Sequence, residues 1–297
     1  MERKGEWLDI RLPKQVGLGR EQLDHYLQDK FGMPATYLAR LYKRNDITRI
    51  GDRLRLRLFH VSALGFPAMW YPLELLYEDD FCLVVNKPAG LLVHPTNPNE
   101  AAVTLANAVA FHYESTGQQI AVRHIHRLDE WTSGPVLYAK NEYSQYKLDE
   151  AMRAKEIERI YMAIVQGIIE NDKGTINAPI GRDRHNSGKR RVSPQGDSAV
   201  THYETVERYP SSQASCLRLQ LETGRTHQIR VHLSHIGHPI IGDELYGGRG
   251  SPLIQRQALH GQQLRFQHPF SGELVEVAAD LPADMQELVD SLAYTKN

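Results

Sequence analysis

The stretch GRTHQIRVHLSHIGHP at residues 224–239 gives the most information about the fold of this 297-residue chain. Read as a helix, it places three apolar side chains on one face: Ile229, Leu233 and Ile236. Thr226 stands where a capping residue is preferred, Gly237 offers the left-handed position after the last turn, and Pro239 prevents continuation. The pattern therefore predicts a short amphipathic helix with a defined beginning and end.

Arg225 lies immediately before the predicted start of that helix. A helix N-terminus has unpaired backbone N–H groups and the positive end of the helix dipole, so an added guanidinium favours an anion or a carboxylate there. The alternative is a structural arginine that pairs with a nearby carboxylate. Arg225 is therefore a candidate for holding either a substrate anion or a catalytic carboxylate.

The segment HRLDEWTSG at residues 126–134 contains a second candidate. Asp129 precedes a Thr-Ser-Gly turn and the apolar strand PVLYA, which predicts a carboxylate at a strand edge near the surface, with Arg127 beside it. A carboxylate among cations has a lowered pKa and stays ionised, which suits a nucleophile better than a proton donor. Ordinary turn chemistry, in which Asp precedes Thr or Ser, is the alternative.

Residues 72–297 are predicted to form one domain in which strands outnumber helices. Several strands are joined as hairpins, such as the one predicted in LRFQHPFSGELVEVA at residues 264–278. This order favours an α+β fold with a mixed, mostly antiparallel sheet over a doubly wound parallel sheet.

Residues 1–65 are predicted to form a small separate unit of two helices closed by a strand. In DRLRLRLF at residues 52–59, leucines alternate with three arginines that share one strand face: Arg53, Arg55 and Arg57. Residues 1–70 carry a net charge of +5 and the rest of the chain a net charge of −6. A polyanion would therefore bind through local basic patches, although a solvated strand face is the alternative.

The segment RDRHNSGKRR at residues 182–191 is a second basic patch. Asp183 is its one acidic residue, against five cations: Arg182, Arg184, Lys189, Arg190 and Arg191. Such a run predicts either a loop that contacts phosphates or a solvated charge cluster.

Composition excludes several classes of protein. The two cysteines stand far apart in apolar runs, which excludes a disulfide framework and favours a reducing cytoplasm. No apolar run is long enough to span a membrane. Three histidines have helical spacing, His232, His235 and His238, but Gly237 ends the helix before the third, and HExxH and CxxC motifs are absent. We therefore expect no bound metal.

Taken together, segments between residues 72 and 285 resemble the RluA-type family of RNA pseudouridine synthases. HRLDEWTSG looks like the family signature HRLDxxTSG, and GRTHQIRVHLSHIGHPIIGDELYG is similar to a second family block. Three further segments match in the expected order: NKPAGLLVHP, RIYMAIVQG and LHGQQLRFQHPFSGE. Residues 1–65 resemble the S4 RNA-binding module but lack its usual Val-Asn-Gly turn.

The resemblance implies a central cleft that binds RNA, and conversion of uridine to pseudouridine by breaking the N1–C1′ bond and rejoining uracil through C5. It places Asp129 at the catalytic aspartate, Arg225 at the arginine that pairs with it, and Tyr161 at the base-stacking tyrosine. Tyr161 is also expected to help remove the C5 proton. No cofactor is implied, because the reaction has no redox change and no group departs.

Several points stay open at this stage. The RNA is either ribosomal or transfer RNA, and the carboxylate either bonds to the sugar or assists formation of a glycal. Two other readings of the chain are a non-catalytic S4-type RNA-binding protein and a metal-dependent hydrolase that uses the histidines. The chain is expected to be a cytoplasmic monomer that binds RNA and no membrane.

Overall fold

The computed structural model describes residues 1–14, 16, 19–95 and 102–294. The first region is a four-stranded antiparallel sheet covered by two helices. Its elements in chain order are β1 (Glu2–Lys4), β2 (Trp7–Arg11), α1 (Arg20–Phe31), α2 (Ala35–Lys43), β3 (Ile47–Ile50) and β4 (Arg53–Arg57). The strand order is β1-β2-β4-β3. The predicted alternation in β4 is confirmed, because Leu54 and Leu56 are fully buried while the arginines that alternate with them are exposed or half-buried.

The core of this first region is shared with the rest of the chain. Phe81, Tyr143 and Phe270 belong to later elements, yet they lie in the same apolar cluster as the helices of the first region. Phe270 stacks between Phe31 and Phe81, at ring-centroid distances of 4.6 and 4.8 Å. The two regions therefore meet across an aromatic contact that neither would bury alone.

A second antiparallel sheet begins after an irregular segment. It contains β5 (Glu74–Glu78), β6 (Cys82–Lys87), β7 (Arg123–His124) and β8 (Gly134–Ala139) in the order β5-β6-β8-β7. The helices in this part are α3 (Leu105–Ser115) and α4 (Glu142–Arg153). Strands β6 and β8 are buried on nearly every residue, which explains their continuous apolar sequence. The irregular segment is fixed in place, since Leu64 and Phe66 pack on the main core.

The largest sheet has six antiparallel strands in the order β10-β13-β14-β9-β15-β16. These are β9 (Glu158–Gln166), β10 (Lys173–Asn177), β13 (Val200–Tyr209), β14 (Ala214–Leu221), β15 (Leu259–Gln267) and β16 (Leu274–Ala278). Between β10 and β13, the strands β11 (Ile180–Arg182) and β12 (Arg190–Val192) form a separate hairpin. The two remaining helices are α5 (Gln228–His235) and α6 (Ala283–Tyr294).

The four-stranded β5-β6-β8-β7 sheet and the six-stranded sheet touch where β8 begins. The Gly261 amide of β15 donates to the Ser133 carbonyl over 2.7 Å, and a Cβ on Gly134 would lie only 2.4 Å from the Gly261 carbonyl oxygen. Gly134 has φ 128°, so both its backbone angle and the close approach require glycine. This junction places the loop before β8 beside β9 and β15.

The predicted α+β class with mostly antiparallel strands is confirmed. The predicted helix in the 224–239 stretch is also confirmed, with Gly237 at φ 85° after its last turn. Its start differs from the prediction: the cap position is His227, at φ 58°, and not Thr226. Both cysteines are buried and unpaired. No helix among the described residues is long and apolar enough to cross a membrane.

Candidate active site

A cleft of about 370 Å³ lies between the loop that precedes β8 and the segment that leads into α5. Its wall includes Asp129 and Arg127 from the first loop, Tyr161 and Arg159 from β9, and Arg230 from α5. All of these except Arg127 are at least partly shielded from solvent. The cleft therefore combines one loop carboxylate with several cations and a tyrosine.

Asp129 is held by an arginine that the sequence reading did not select. The Arg230 Nη1 atom lies 3.4 Å from the Asp129 Oδ2 atom. On its other edge, Arg230 donates from Nε and Nη2 to both oxygens of Asp243, over 2.7 and 2.8 Å. Burial acts to lower the pKa of Arg230, but the hydrogen bonds and charge of Asp243, with the charge of Asp129, raise it. Arg230 is thus a fixed cation between two carboxylates.

The prediction that Arg225 pairs with Asp129 is wrong. Arg225 lies in the loop before α5, where its Nε donates to the Ser198 carbonyl and its Nη1 is 3.9 Å from Asp197. Its side chain is 44% exposed. The helix begins only at Gln228, so the inward-facing arginine is Arg230, two residues into the first turn. Arg225 still lines the rim of the same cleft.

A buried lysine holds the loop that carries Asp129 in place. Lys87 at the end of β6 is fully buried, and its Nζ donates to three backbone carbonyls, those of Pro88, Leu91 and Glu130, over 2.7 to 2.8 Å. Burial lowers the pKa of Lys87 to about 7, and the charge of Asp129 acts in the opposite direction. Three acceptors match the three N–H bonds of an ammonium group, so Lys87 connects residues 88–91 to the loop that carries Asp129.

Tyr161 lies on β9, facing the cleft, and is 6% exposed. Burial raises its pKa, with Arg159 acting against this shift and Asp129 adding to it. The phenol therefore keeps its proton at neutral pH. This favours Tyr161 as a surface for a base over Tyr161 as a proton acceptor.

Two histidines of the cleft have lowered pKa values. Burial, together with Arg159 and His124, lowers the pKa of His126 to about 3, and its Nε2 accepts from the Leu137 amide. Burial also lowers the pKa of His227, against the charge of Asp129. Its Nε2 is 4.0 Å from Asp129 Oδ2, and its Nδ1 lies 2.9 Å from the Tyr246 hydroxyl. Among the described residues, Arg230 is therefore the one permanently charged cation within 4 Å of Asp129.

The basic segment 182–191 forms the β11–β12 hairpin and packs beside this site. The Arg190 amide donates to the Tyr246 hydroxyl over 2.9 Å, and the Lys189 ammonium lies 5.3 Å from the Tyr246 ring. The same ring also contacts the Arg230 guanidinium at 4.9 Å. Arg182, Arg184 and Arg191 are exposed on the hairpin. Tyr246 thus connects the predicted phosphate-contacting loop to the cation that holds Asp129.

The three arginines of β4 are mostly paired within the protein. Arg55 contacts Asp9 at 3.0 Å, and Arg57 contacts Glu6 at 2.7 Å. Arg53 has no ion pair within 4 Å among the described residues. The cross-strand register explains the difference, because Asp9 lies directly opposite Arg55 and Arg11 lies opposite Arg53. One of the three predicted RNA-binding arginines therefore keeps its charge available.

In the part of the chain that the structure describes, potential metal donors meet at one place, outside the cleft: Asp79, Cys82 and His268. The Asp79 carboxylate already accepts from the amides of Phe81 and Cys82 and from the Tyr77 hydroxyl, and it lies 2.8 Å from His268 Nε2. Burial raises the pKa of the Cys82 thiol. These donors are engaged in hydrogen bonds that hold the region near Phe81, so they are not suited to a metal ion.

The geometry agrees with comparisons with known proteins. The sequence pattern of the RNA pseudouridylate synthase family matches residues 81–235. The chain belongs to this family. It is 45% identical to a Bacillus subtilis protein named as an uncharacterized RNA pseudouridine synthase, YhcT, over 82% of this chain and 80% of the relative. It is 38% identical to ribosomal large subunit pseudouridine synthase D of Haemophilus influenzae, over 94% of this chain and 93% of the relative.

A solved structure of a pseudouridylate synthase domain is also similar to this chain. The human protein named RNA pseudouridylate synthase domain containing 1 superimposes with a TM-score of 0.57 at 26% identity, covering 77% of this chain and 97% of that chain. The chain is therefore an enzyme that isomerises uridine to pseudouridine in RNA. The alternatives of a non-catalytic RNA-binding protein and a metal-dependent hydrolase receive no support.

Proposed function

We propose that this enzyme modifies uridines of large-subunit ribosomal RNA, with Asp129 as the carboxylate that acts at C1′. The observation that carries the assignment of Asp129 is its position in the cleft, paired with Arg230 and facing the same space as Tyr161. The choice of RNA is supported by relatives named ribosomal large subunit pseudouridine synthase D that match most of the chain.

The roles follow from the charges in the cleft. Positive charge develops at C1′ when the N1–C1′ bond breaks, and an ionised Asp129 stabilises it. Arg230 keeps that carboxylate oriented through the contact of its Nη1 atom with Oδ2. The uracil turns, C5 bonds to C1′, the C5 proton leaves and N1 gains a proton, so atoms and electrons balance without a cofactor. Tyr161 provides the surface against which the base turns.

RNA contacts outside the cleft are proposed at three places. Arg127 is exposed at the rim beside Asp129 and can reach the strand that leads to the target. The β11–β12 hairpin presents its cations next to α5, where they can contact phosphates. In the S4-like region, Arg53 is the β4 arginine with an available charge. The base must leave its helix to enter the cleft, so these contacts hold a locally unpaired strand.

The test is to incubate the protein with transcripts of large-subunit ribosomal RNA and of transfer RNA, and to locate pseudouridines by base-specific chemical modification and primer extension. We expect a small number of positions in the ribosomal transcript, unchanged when EDTA is present. Asp129→Asn should lower the rate at least 10³-fold, about 4 kcal/mol, while RNA affinity changes little. Modification of the transfer RNA alone would reject the proposed substrate, and a rate within tenfold for Asp129→Asn would reject the proposed carboxylate.

A further inference from the structure

Arg159 is an arginine of the cleft whose guanidinium has no partner among the described residues. The residue is 8% exposed, and its Nε atom is buried without a hydrogen bond. No ion pair and no hydrogen bond among the described residues includes its guanidinium. A buried cation without a counter-ion is costly to the folded protein. Such a group is expected where a ligand supplies the missing anion.

Both carboxylates that line the cleft are already engaged elsewhere. Asp129 pairs with Arg230. Glu222 lies 2.7 Å from both the Lys155 ammonium and the His202 ring. Arg159 is therefore not part of an internal ion-pair network, although it stands among acidic and basic neighbours.

The position of Arg159 leaves its guanidinium beside the space for the base. Arg159 and Tyr161 are two residues apart on β9, and both face the cleft. The guanidinium also lies against the loop before α5, where a Cβ on Gly224 would be 2.8 Å from its Nη1 atom. Glycine at 224 therefore leaves room for the guanidinium in this position.

Depth distinguishes Arg159 from the exposed arginines of the site. Arg127 and Arg225 are exposed at the rim of the cleft. Arg159 can be reached only by a group that enters the cleft. The one anionic group of a uridine in RNA is its phosphate, and a planar guanidinium with free N–H groups binds phosphate through two parallel hydrogen bonds.

We propose that Arg159 binds a phosphate of the uridine that enters the cleft, and so fixes the sugar next to Asp129. This inference rests on the proposed function, because it assumes that the target nucleotide occupies this cleft. It assigns the rim arginines to neighbouring phosphates and Arg159 to the target nucleotide itself.

The test uses three small probes that require no turnover: uridine, uridine 5′-monophosphate and uridine 3′-monophosphate, each titrated into the full-length protein by NMR. The wild type should bind one of the two monophosphates roughly tenfold or more tightly than uridine. Arg159→Gln should remove that preference, and Arg159→Lys should keep part of it. Arg265→Gln is the matched control, because Arg265 lies on the adjacent strand, outside the cleft, and pairs with Glu276.

A thermal unfolding measurement separates a ligand-binding arginine from a structural one. Arg159→Met keeps the apolar stem and removes an unpaired buried charge, so the unfolding midpoint of the RNA-free protein should stay constant or rise. A clear fall of the midpoint would overturn the proposal by showing a structural role.

Two further outcomes would overturn the proposal. One is a wild type that binds both monophosphates no better than uridine. The other is an Arg159→Gln protein with normal monophosphate preference and a lowered kcat, which would place the guanidinium on the base. Failure of the proposed function would look different, because the wild type would then form no pseudouridine in the ribosomal transcript.

Discussion

The arginines of strand β4 and the arginines of the cleft look alike in the sequence but differ in their surroundings. Arg55 and Arg57 lie on an open sheet face, each next to a carboxylate of the adjoining N-terminal strand or turn. Arg230 is buried between two carboxylates, whereas Arg159 is buried and pairs with no carboxylate of the described residues. Exposed pairs contribute little to stability, whereas buried charges are either strongly held or costly. Burial and partners, rather than residue type, therefore distinguish a surface arginine from a functional one.

The largest effect is expected from a comparison of Arg230 with Arg225. Arg230→Met leaves Asp129 and the buried Asp243 without their shared cation, and we expect kcat to fall about 10²- to 10³-fold, roughly 3 to 4 kcal/mol. Arg225→Met removes a rim cation with only a distant carboxylate neighbour, and kcat at saturating RNA should change less than about threefold. The measurement is release of tritium from C5-labelled uridine in ribosomal RNA.

Partial rescue is the control for that comparison. Arg230→Lys should recover part of the rate, because an ammonium supplies charge without the two-pronged geometry. Equal losses for the Arg230 and Arg225 variants would show that the contact between Arg230 and Asp129 does not control the reaction.

The difference between Arg225 and Arg230 also shows how far the sequence can be read. The apolar stripe and Gly237 were sufficient to predict α5, because they are local. The choice of arginine depended on where the helix begins, and on Asp129, which lies 101 residues away from Arg230 in the sequence. No local pattern encodes that contact. The same is true of Lys87, whose carbonyl partner on Glu130 is 43 residues away.

In the N-terminal region, too, the sequence predicted local features but not long-range contacts. The alternation in DRLRLRLF correctly predicted which residues of β4 face outward, since strand periodicity is a local property. The charges available to RNA were not predictable in this way, because they depend on the cross-strand register that brings Asp9 opposite Arg55. The aromatic contact through Phe270 was equally hidden, since its partners lie in distant segments.

The next effect concerns stability near the cleft. Lys87→Met removes the buried donor to three backbone carbonyls, and the free energy of unfolding should fall by about 2 to 4 kcal/mol. Lys173→Met is the matched control, because Lys173 is an exposed lysine that pairs with Glu204. Its free energy of unfolding should differ from that of the wild type by less than about 0.5 kcal/mol. Urea unfolding followed by circular dichroism measures both. Similar values for the two variants would show that the Lys87 network contributes no more than a surface ion pair.

A smaller, pH-dependent effect is expected where the two regions meet. Burial acts to raise the pKa of Asp79, but hydrogen bonds from His268, from two backbone amides and from Tyr77 lower it to about 2. An unfolded aspartate titrates near pH 3.9, so the carboxylate stabilises the fold fully above about pH 5 and loses this contribution as the pH falls toward 2. After allowance for partial exposure, the contribution is about 1 kcal/mol.

Asp79→Asn provides the measurement for that effect. Its stability should lie below that of the wild type by about 1 kcal/mol at pH 6, and the difference should shrink as the pH is lowered to 3. Urea unfolding at the two pH values gives both differences. If Asp79→Asn is less stable than the wild type by the same amount at pH 6 and at pH 3, lost packing and not the charge of Asp79 accounts for the change.

The smallest effect is expected from the arginines of strand β4, and it concerns the salt dependence of RNA binding. Deleting residues 1–65 is unsuitable for this purpose, because it would expose Phe81 and Phe270 of the shared core.

Single substitutions avoid that problem. Arg53→Gln removes an available charge, so the slope of log K against log salt for ribosomal RNA should become shallower by about 0.7 to 0.9 if Arg53 contacts a phosphate. Arg55→Gln removes a charge that Asp9 already neutralises, so its slope should stay close to that of the wild type. Equal slopes for Arg53→Gln and the wild type would mean that all three β4 arginines form a solvated face, and that RNA is held by the cleft and the β11–β12 hairpin instead.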